Sequence, residues 1–198
     1  MVRIICLVLT CAALQATAAR AQTDHAWSRG TELGAVIDGA VDGAATGPAL
    51  GGSAGWEVSP RLTFEGRGVW YWRGTGAEGF GADIGMLVNL APKPRATPFL
   101  AAGFGLYAAT FDSPDATMSD YYRNRYGPGS PTTAGRRTFT DPALRMGGGV
   151  DLHFRRHLAL RPEVSVLLIW NNGRATTLTT FGTVIAYRFE DHPVTPRR

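Results

Sequence analysis

Past its eleventh residue the chain has no cysteine. Both thiols, Cys6 and Cys11, fall in a short N-terminal stretch, so no disulfide can staple the remainder. Long apolar runs are missing too. A spanning helix needs about 20 consecutive apolar residues, and no stretch comes near that length. No window after residue 22 sustains a helical period, which excludes a helical bundle. Charge of one sign is not gathered anywhere. The formal net charge is +4 over 198 residues, without the basic stripe that a nucleic-acid surface requires. Arg197-Arg198 reads as a solvated tail. The four histidines, His25, His153, His157 and His192, show no metal-ligand spacing, and no Ser or Cys nucleophile stands beside a base. No catalytic, metal or cofactor site is therefore expected.

The N-terminus carries an export pattern. Arg3 precedes the apolar run Ile4-Ile5-Cys6-Leu7-Val8-Leu9, and Ala19-Arg20-Ala21 fits a small-x-small cleavage site. Residues 1–21 are expected to be a signal peptide that is removed, leaving Gln22 as the new N-terminus. Lipoprotein cleavage before Cys11 is disfavoured by Thr10. Residues 22–29 read as a short N-terminal periplasmic segment, 30–190 as one domain and 191–198 as a polar C-terminal tail. An exported chain without disulfides must be held by another device. A closed sheet in a bilayer supplies one, because it pairs every backbone group.

Alternation is what the sequence does contain. From Leu158 to Trp170 every second residue is apolar, interleaved with Arg161, Glu163 and Ser165. That is a strand with one greasy face and one charged face. The same pattern predicts eight strands: Thr31–Val41, Ala49–Val58, Arg61–Trp72, Phe80–Leu90, Phe99–Phe111, Pro142–Phe154, Leu158–Trp170 and Thr177–Phe189. Their lengths suit the ~9–11 tilted residues that cross a bilayer. Ser59-Pro60, Ala91–Thr97 and Arg155–His157 read as short connections. Asn171-Asn172-Gly173 is a hairpin signal. Arg73–Gly79 reads as a glycine-rich loop, and Asp112–Thr140 as a long polar one. Short turns at one end and longer loops at the other suit a closed eight-stranded antiparallel up-and-down transmembrane β-barrel. With the N-terminus periplasmic, Trp70, Trp72 and Trp170 fall near the outer rim. Trp56, Phe64, Phe154, Tyr187 and Phe189 fall near the inner rim, completing an aromatic girdle.

The polar faces collect Glu32, Asp38, Glu57, Glu65, Arg67, Asp83, Arg145, Asp151, Arg161, Glu163 and Arg188. A midplane arginine facing lipid would cost ~2–4 kcal/mol. Facing inward, each can fork onto carboxylates. The polar face is therefore assigned to the lumen, which eight strands make just wide enough for side chains to fill. Gly51, Gly55, Gly81, Gly85, Gly103, Gly105, Gly147 and Gly149 fall on the same face and are expected to leave room for the arginines. A soluble β-sandwich would share the alternation but not an interior so rich in charge. Glu65 and Glu163 could be read as an acid/base pair, and His153 as a base. A structural ion-pair plug explains them with fewer assumptions.

Four segments carry a resemblance: Gly55-Trp56-Glu57-Val58-Ser59-Pro60-Arg61-Leu62, Pro98-Phe99-Leu100-Ala101-Ala102-Gly103-Phe104-Gly105, Gly147-Gly148-Gly149-Val150-Asp151 and Ala186-Tyr187-Arg188-Phe189. In their order over residues 30–190 they resemble the small outer-membrane β-barrel domain family, of the OmpA-transmembrane and OmpX-like kind. The resemblance implies recognition by the barrel-assembly machinery through the C-terminal strand ending at Phe189. Here the tail Glu190–Arg198 follows that aromatic residue, and the expected nearby glycine is displaced to Gly182.

The expected protein is a monomeric, non-catalytic barrel in the outer membrane of a Gram-negative bacterium, after export and signal cleavage. It has a charge-filled lumen and a structural or surface-interaction role, with outer-membrane lipid and lipopolysaccharide as surroundings and no nucleic-acid partner. Two alternatives stand beside it. A lipid-modifying enzyme on this scaffold needs a Ser/His/acid set at one bilayer rim. A soluble periplasmic lipocalin-like ligand-binding barrel needs an apolar inside and a polar outside. In the long loop, Tyr121, Tyr122, Arg123, Arg125 and Tyr126 interleave aromatic and basic side chains, types enriched where proteins bind partners. They form either a candidate surface site for anionic sugars or phosphates, or a solvated connector.

Overall fold

A computed structural model of the chain describes residues 30–90, 96–113, 116–126, 135–155 and 157–189. The predicted signal, periplasmic segment and C-terminal tail lie outside the described residues. The elements are β1 (Thr31–Val41), β2 (Thr46–Ser59), β3 (Leu62–Trp72), β4 (Ala77–Asn89) and β5 (Ala96–Phe111). A short helix, α1 (Asp120–Tyr126), precedes β6 (Arg137–Arg155), β7 (Leu158–Asn171) and β8 (Arg174–Arg188). Each strand pairs with its sequence neighbours, and β8 pairs antiparallel with β1, so the sheet closes.

The register fixes the shape of the barrel. Partners run from Thr31 to Trp56, Phe64, Met86, Ala102, Met146, Val166 and Thr179, and return to β1 at Val41. One circuit therefore climbs ten residues. Eight strands with that stagger tilt by roughly 40° at ordinary strand spacing and rise. At that tilt the 11 residues of β1 span roughly 28 Å, which suits the ~25 Å apolar band of a membrane barrel.

Alternation sorts the side chains as the polar pattern predicts. Leu33, Ile37, Trp56, Phe104, Val164, Phe181 and Ile185 point outward, while Glu32, Asp38, Glu65, Arg145 and Arg161 are buried inside. The lipocalin-like alternative requires the opposite sorting and is thereby rejected. Aromatic residues gather at both rims. Trp70 packs obliquely on Phe80 at one end, Trp170 reaches down to Phe104 from the same end, and Tyr187 packs edge-on to Phe189 at the end where β1 starts and β8 finishes.

Six of the eight strands are longer than predicted, β1 matches and β3 starts one residue later, and most of the extra length lies at the end where β1 finishes and β8 begins. β2 begins at Thr46 because Gly47 and Pro48, which read as turn residues, pair with Ala40 and Gly39 of β1. β6 begins at Arg137, and its polar run through Asp141 pairs with Tyr107–Phe111 of β5. The predicted loop Arg73–Gly79 shrinks to a tight turn in which Gly74 and Gly76 take left-handed backbone angles (φ 98° and 63°). The predicted Asn172-Gly173 hairpin has φ 47° and 76°, the signs of a type I′ turn. Pro162 lies within β7 as predicted. The β6–β7 pairing skips from Gly149↔Glu163 to Leu152↔Leu160, where proline has no N–H to give.

The inward glycines do not make room for arginine as expected, since the atoms nearest to an added Cβ at these positions belong to other residues. At Gly55 and Gly103 an added Cβ would press on the side chains of Glu32 and Asp83. At Gly85 and Gly105 it would meet the backbone of the adjacent strand. These positions let a small barrel coil tightly.

Ile84, in the middle of β4, is 76% exposed to the surroundings. Ile84→Arg is expected to lower folding stability in vesicles by ~2–4 kcal/mol, whereas Ile84→Leu leaves it nearly unchanged. Urea titration followed by tryptophan fluorescence measures both, and equal losses would mean that Ile84 does not face lipid.

Candidate functional site: a paired lumen and its capped mouth

At the end where β1 starts and β8 finishes, Arg188 pairs with Glu57. Arg161 contacts three acids: Glu32 at 2.6 Å, Glu65 at 3.0 Å and Asp151 at 3.4 Å. Arg145 donates from Nη2 to Glu65 (2.8 Å) and from Nε to Asp83 (3.0 Å). Arg67 forks between Asp38 (2.6 Å) and Glu163. All eleven charged residues picked out from the sequence thus meet one another inside the barrel.

Seven carboxylates share four guanidiniums in this ladder, so most arginines serve more than one acid. Arg145 is 1% exposed and Arg161 2%. Burying such groups is tolerable only when hydrogen bonds replace lost water. The two oxygens of Glu65 are taken by Arg145 and Arg161, and Glu163 is held by Arg67. Both glutamates therefore serve the ion-pair ladder. His153 lies 3.8 Å from Asp151. Among the described residues, no group of three or more His, Cys, Asp or Glu side chains is arranged to hold a metal ion.

Above the ladder the lumen turns apolar. Val36, Val69, Tyr71, Tyr107, Leu167, Ile169 and Leu178 fill it. Tyr71 and Tyr107 pack at 5.7 Å, and Gly79 is where Tyr107 lies closest to the wall. The phenol of Tyr107 accepts from Arg73 (2.9 Å), which also pairs with Asp42. Sequence reasoning missed this pair. A signal was present: Asp42 continues the even-numbered inward phase of β1, and Arg73 the odd-numbered phase of β3.

The segment before β6 closes the mouth. Ala116, Met118, Tyr121 and Tyr122 join the apolar cluster. Tyr122 packs 5.2 Å from Phe111 and edge-on to Tyr121 at 4.7 Å. Burial raises the pKa of both phenols, so they remain neutral. Asp141 of β6 is fully buried and anchors three groups. It accepts from Tyr121 Oη (3.2 Å) and Asn171 Nδ2 (2.6 Å), and pairs with Arg125. Arg125 also lies 4.7 Å over the ring of Phe139.

The aromatic-basic stretch is therefore divided. Tyr121 and Tyr122 point into the mouth rather than outward, because the apolar lumen offers them a better environment than water. Arg125 is tied down and Arg123 is exposed. The side chain of Tyr126 lies outside the described residues. Beside α1 a cavity of about 440 Å³ opens at this end. Its walls come from Gly43 in the β1–β2 turn, from Ser119, Asp120, Tyr121 and Asn124 around α1, and from Arg174, Ala175 and Thr176 of the last hairpin. No local sequence pattern marks this cavity, because its walls are about 130 residues apart along the chain.

The profile of the outer membrane protein beta-barrel domain matches residues 4–189. No curated protein matches the sequence. Among solved structures, the barrel is similar to Neisserial surface protein A, with TM-score 0.60 and 15% identity over 84% of this chain and 100% of that one. It is similar to the N-terminal barrel of Pseudomonas aeruginosa OprF, with TM-score 0.51 and 14% identity over 80% and 97%. The attachment invasion locus protein Ail of Yersinia pestis gives TM-score 0.50 and 10% identity over 81% and 97%. At these identities the likeness is one of fold.

Arg67→Met is expected to cost ~3–5 kcal/mol, because it orphans two buried acids at once. Adding Asp38→Asn and Glu163→Gln should restore most of that loss. Urea unfolding in vesicles compares the two proteins, and a triple variant no more stable than the single one would show that the acids do not depend on Arg67.

Proposed function

The chain belongs to the outer membrane protein β-barrel domain family, and from that premise we propose a non-catalytic barrel with a plugged lumen whose outer end engages partners at the cell surface. The observation that carries this reading is the filling of the barrel along its length. The ion-pair ladder occupies the half near Thr31 and Arg188, and tyrosines capped by α1, with the Arg73–Asp42 pair beside them, occupy the other. A conducting pore needs an open path, and an enzyme needs free reacting groups.

The start of β1 and the finish of β8 share one end, where Phe189 N donates to Thr31 O. We assign that end to the periplasm. The closing strand then leaves the aromatic ring of Phe189 on the lipid side, where the barrel-assembly machinery would read it. A closed sheet has no free edge for strand pairing, which supports a monomer. The opposite end faces outward with one long connection, residues 112–136, and three tight ones. Arg123 and Arg174 are exposed there and offer hydrogen-bond donors to the saccharide of lipopolysaccharide. Two similar barrels, Neisserial surface protein A and the Yersinia attachment protein, bear names that point to the cell surface.

Two measurements test the reading. In planar bilayers the folded protein should give no large, stable conductance steps, and steps of that kind would refute the plug. Cells that carry the protein should retain lipopolysaccharide or bind neighbouring cell surfaces better than cells without it. Arg123→Ser with Arg174→Ser should weaken that gain while leaving the heat-shifted gel mobility of the folded barrel intact. No difference between carrying and lacking cells would remove the surface role.

A further inference from the structure

We infer that the cavity beside α1 is a binding site for a neutral sugar unit. This rests on the reading that the α1 end faces outward, and it names the class of ligand that end would take. The cavity holds about 440 Å³, within the range of ~300–1,000 Å³ usual for small-molecule sites and large enough for one or two sugar rings.

The lining chemistry selects the ligand. Asp120 offers only acceptors, Arg174 only donors, and Ser119, Asn124 and Thr176 both. Neither Asp120 nor Arg174 enters an ion pair among the described residues, and both side chains are exposed. An apolar ligand would leave these groups unpaired, at a cost for each. A phosphate or sulfate would meet Arg174 but be repelled by the Asp120 carboxylate. Adjacent hydroxyls on a sugar both give and take hydrogen bonds. They fit an acceptor, a donor and several mixed groups spread around one small space.

The walls are also held in advance. Asp42 Oδ1 accepts from the backbone N–H groups of Ala44 and Ala45 and sets the β1–β2 turn. The hairpin wall is set by Asn172 and Gly173. Asp141 ties the other two walls together. Tyr121 and Arg125 reach it from α1, and Asn171 reaches it from the hairpin. A pocket fixed in this way spends little of its binding energy on ordering itself. Asp141 is a positioning residue and does not line the cavity.

Two sources could present such a sugar: the saccharide of lipopolysaccharide in the same membrane, or a glycan on another cell. The test uses the folded barrel in lipid nanodiscs with ¹⁵N labelling. Probes are the methyl glycosides of glucose, galactose, mannose and N-acetylglucosamine, with inorganic phosphate as the anion control. At least one glycoside should saturate at millimolar concentration and shift the amides of Asn124 and Thr176, while phosphate shifts neither. Asn124→Ala and Arg174→Met should each weaken binding about tenfold or more with heat-shifted mobility unchanged. Asp141→Asn should weaken it as well, and Tyr121→Phe less so.

No saturation by any glycoside, or displacement of a bound glycoside by phosphate, would overturn the proposal. Full-length lipopolysaccharide competing where a truncated form lacking outer sugars does not assigns the site to the protein's own membrane. Competition only by glycosylated albumin assigns it to a foreign glycan. Cells that bind no surface partner while the glycoside still saturates would sink the surface role and leave the pocket standing. Cell binding that survives Asn124→Ala and Arg174→Met, with no glycoside bound, would do the reverse.

Discussion

Four guanidiniums buried in a narrow tube must each keep carboxylates within hydrogen-bond reach. The rest of the structure follows from that constraint. It forces the charged face of every strand inward, and so gives lipid the face that carries Leu33, Ile84, Val164 and Phe181. Strands must also approach closely enough for Arg161 on β7 to touch Glu32 on β1 and Glu65 on β3. Only a tightly coiled barrel of eight strands does this. Inward glycines such as Gly85 and Gly105 allow that coiling, since a side chain there would strike the next strand. In water such a ladder would contribute little. Inside the barrel each broken pair leaves an uncompensated charge, so the ladder specifies the register as well as filling the space.

The lumen has two materials, and the boundary between them matters for function. The charged ladder ends near Arg67, and the tyrosines Tyr71 and Tyr107 begin above it, with the Arg73–Asp42 pair beside Tyr107. At the mouth a polar loop supplies its own apolar plug. Met118, Tyr121 and Tyr122 turn down onto Phe111, while the polar groups of α1 stay at the surface. One segment thus seals the barrel and shapes the outer face. Asp141 joins the two tasks, because the carboxylate that pins the plug also holds both walls of the outer cavity.

Much of this was legible in the sequence, for a physical reason. A period of two places residues on opposite faces whatever the neighbouring strand is, so Glu32, Arg67 and Arg161 could be assigned inward from local pattern alone. The ends were harder. Gly47 and Pro48 carry turn chemistry but are held extended by β1. Arg137 to Asp141 lacks the strong apolar alternation of a strand and is fixed by pairing with β5. Tyr121 and Tyr122 read as surface residues because no local pattern shows that an apolar mouth lies within reach. The ten-residue stagger is a property of eight registers taken together. The outer cavity unites residues from opposite ends of the chain.

The central claim is that lipid touches one face of each strand while charge fills the other, and site-directed spin labelling along β7 (Leu158–Asn171) tests it most directly. Cys6 and Cys11 are the only native cysteines, so a thiol introduced into a chain expressed from Gln22 onward is unique. Labels at Val164, Val166 and Leu168 should be reached readily by oxygen dissolved in the bilayer. Those at Glu163, Ser165 and Leu167 should be shielded, giving a strict period of two. A reversed phase, or accessibility to a water-soluble quencher along the whole strand, would contradict the account.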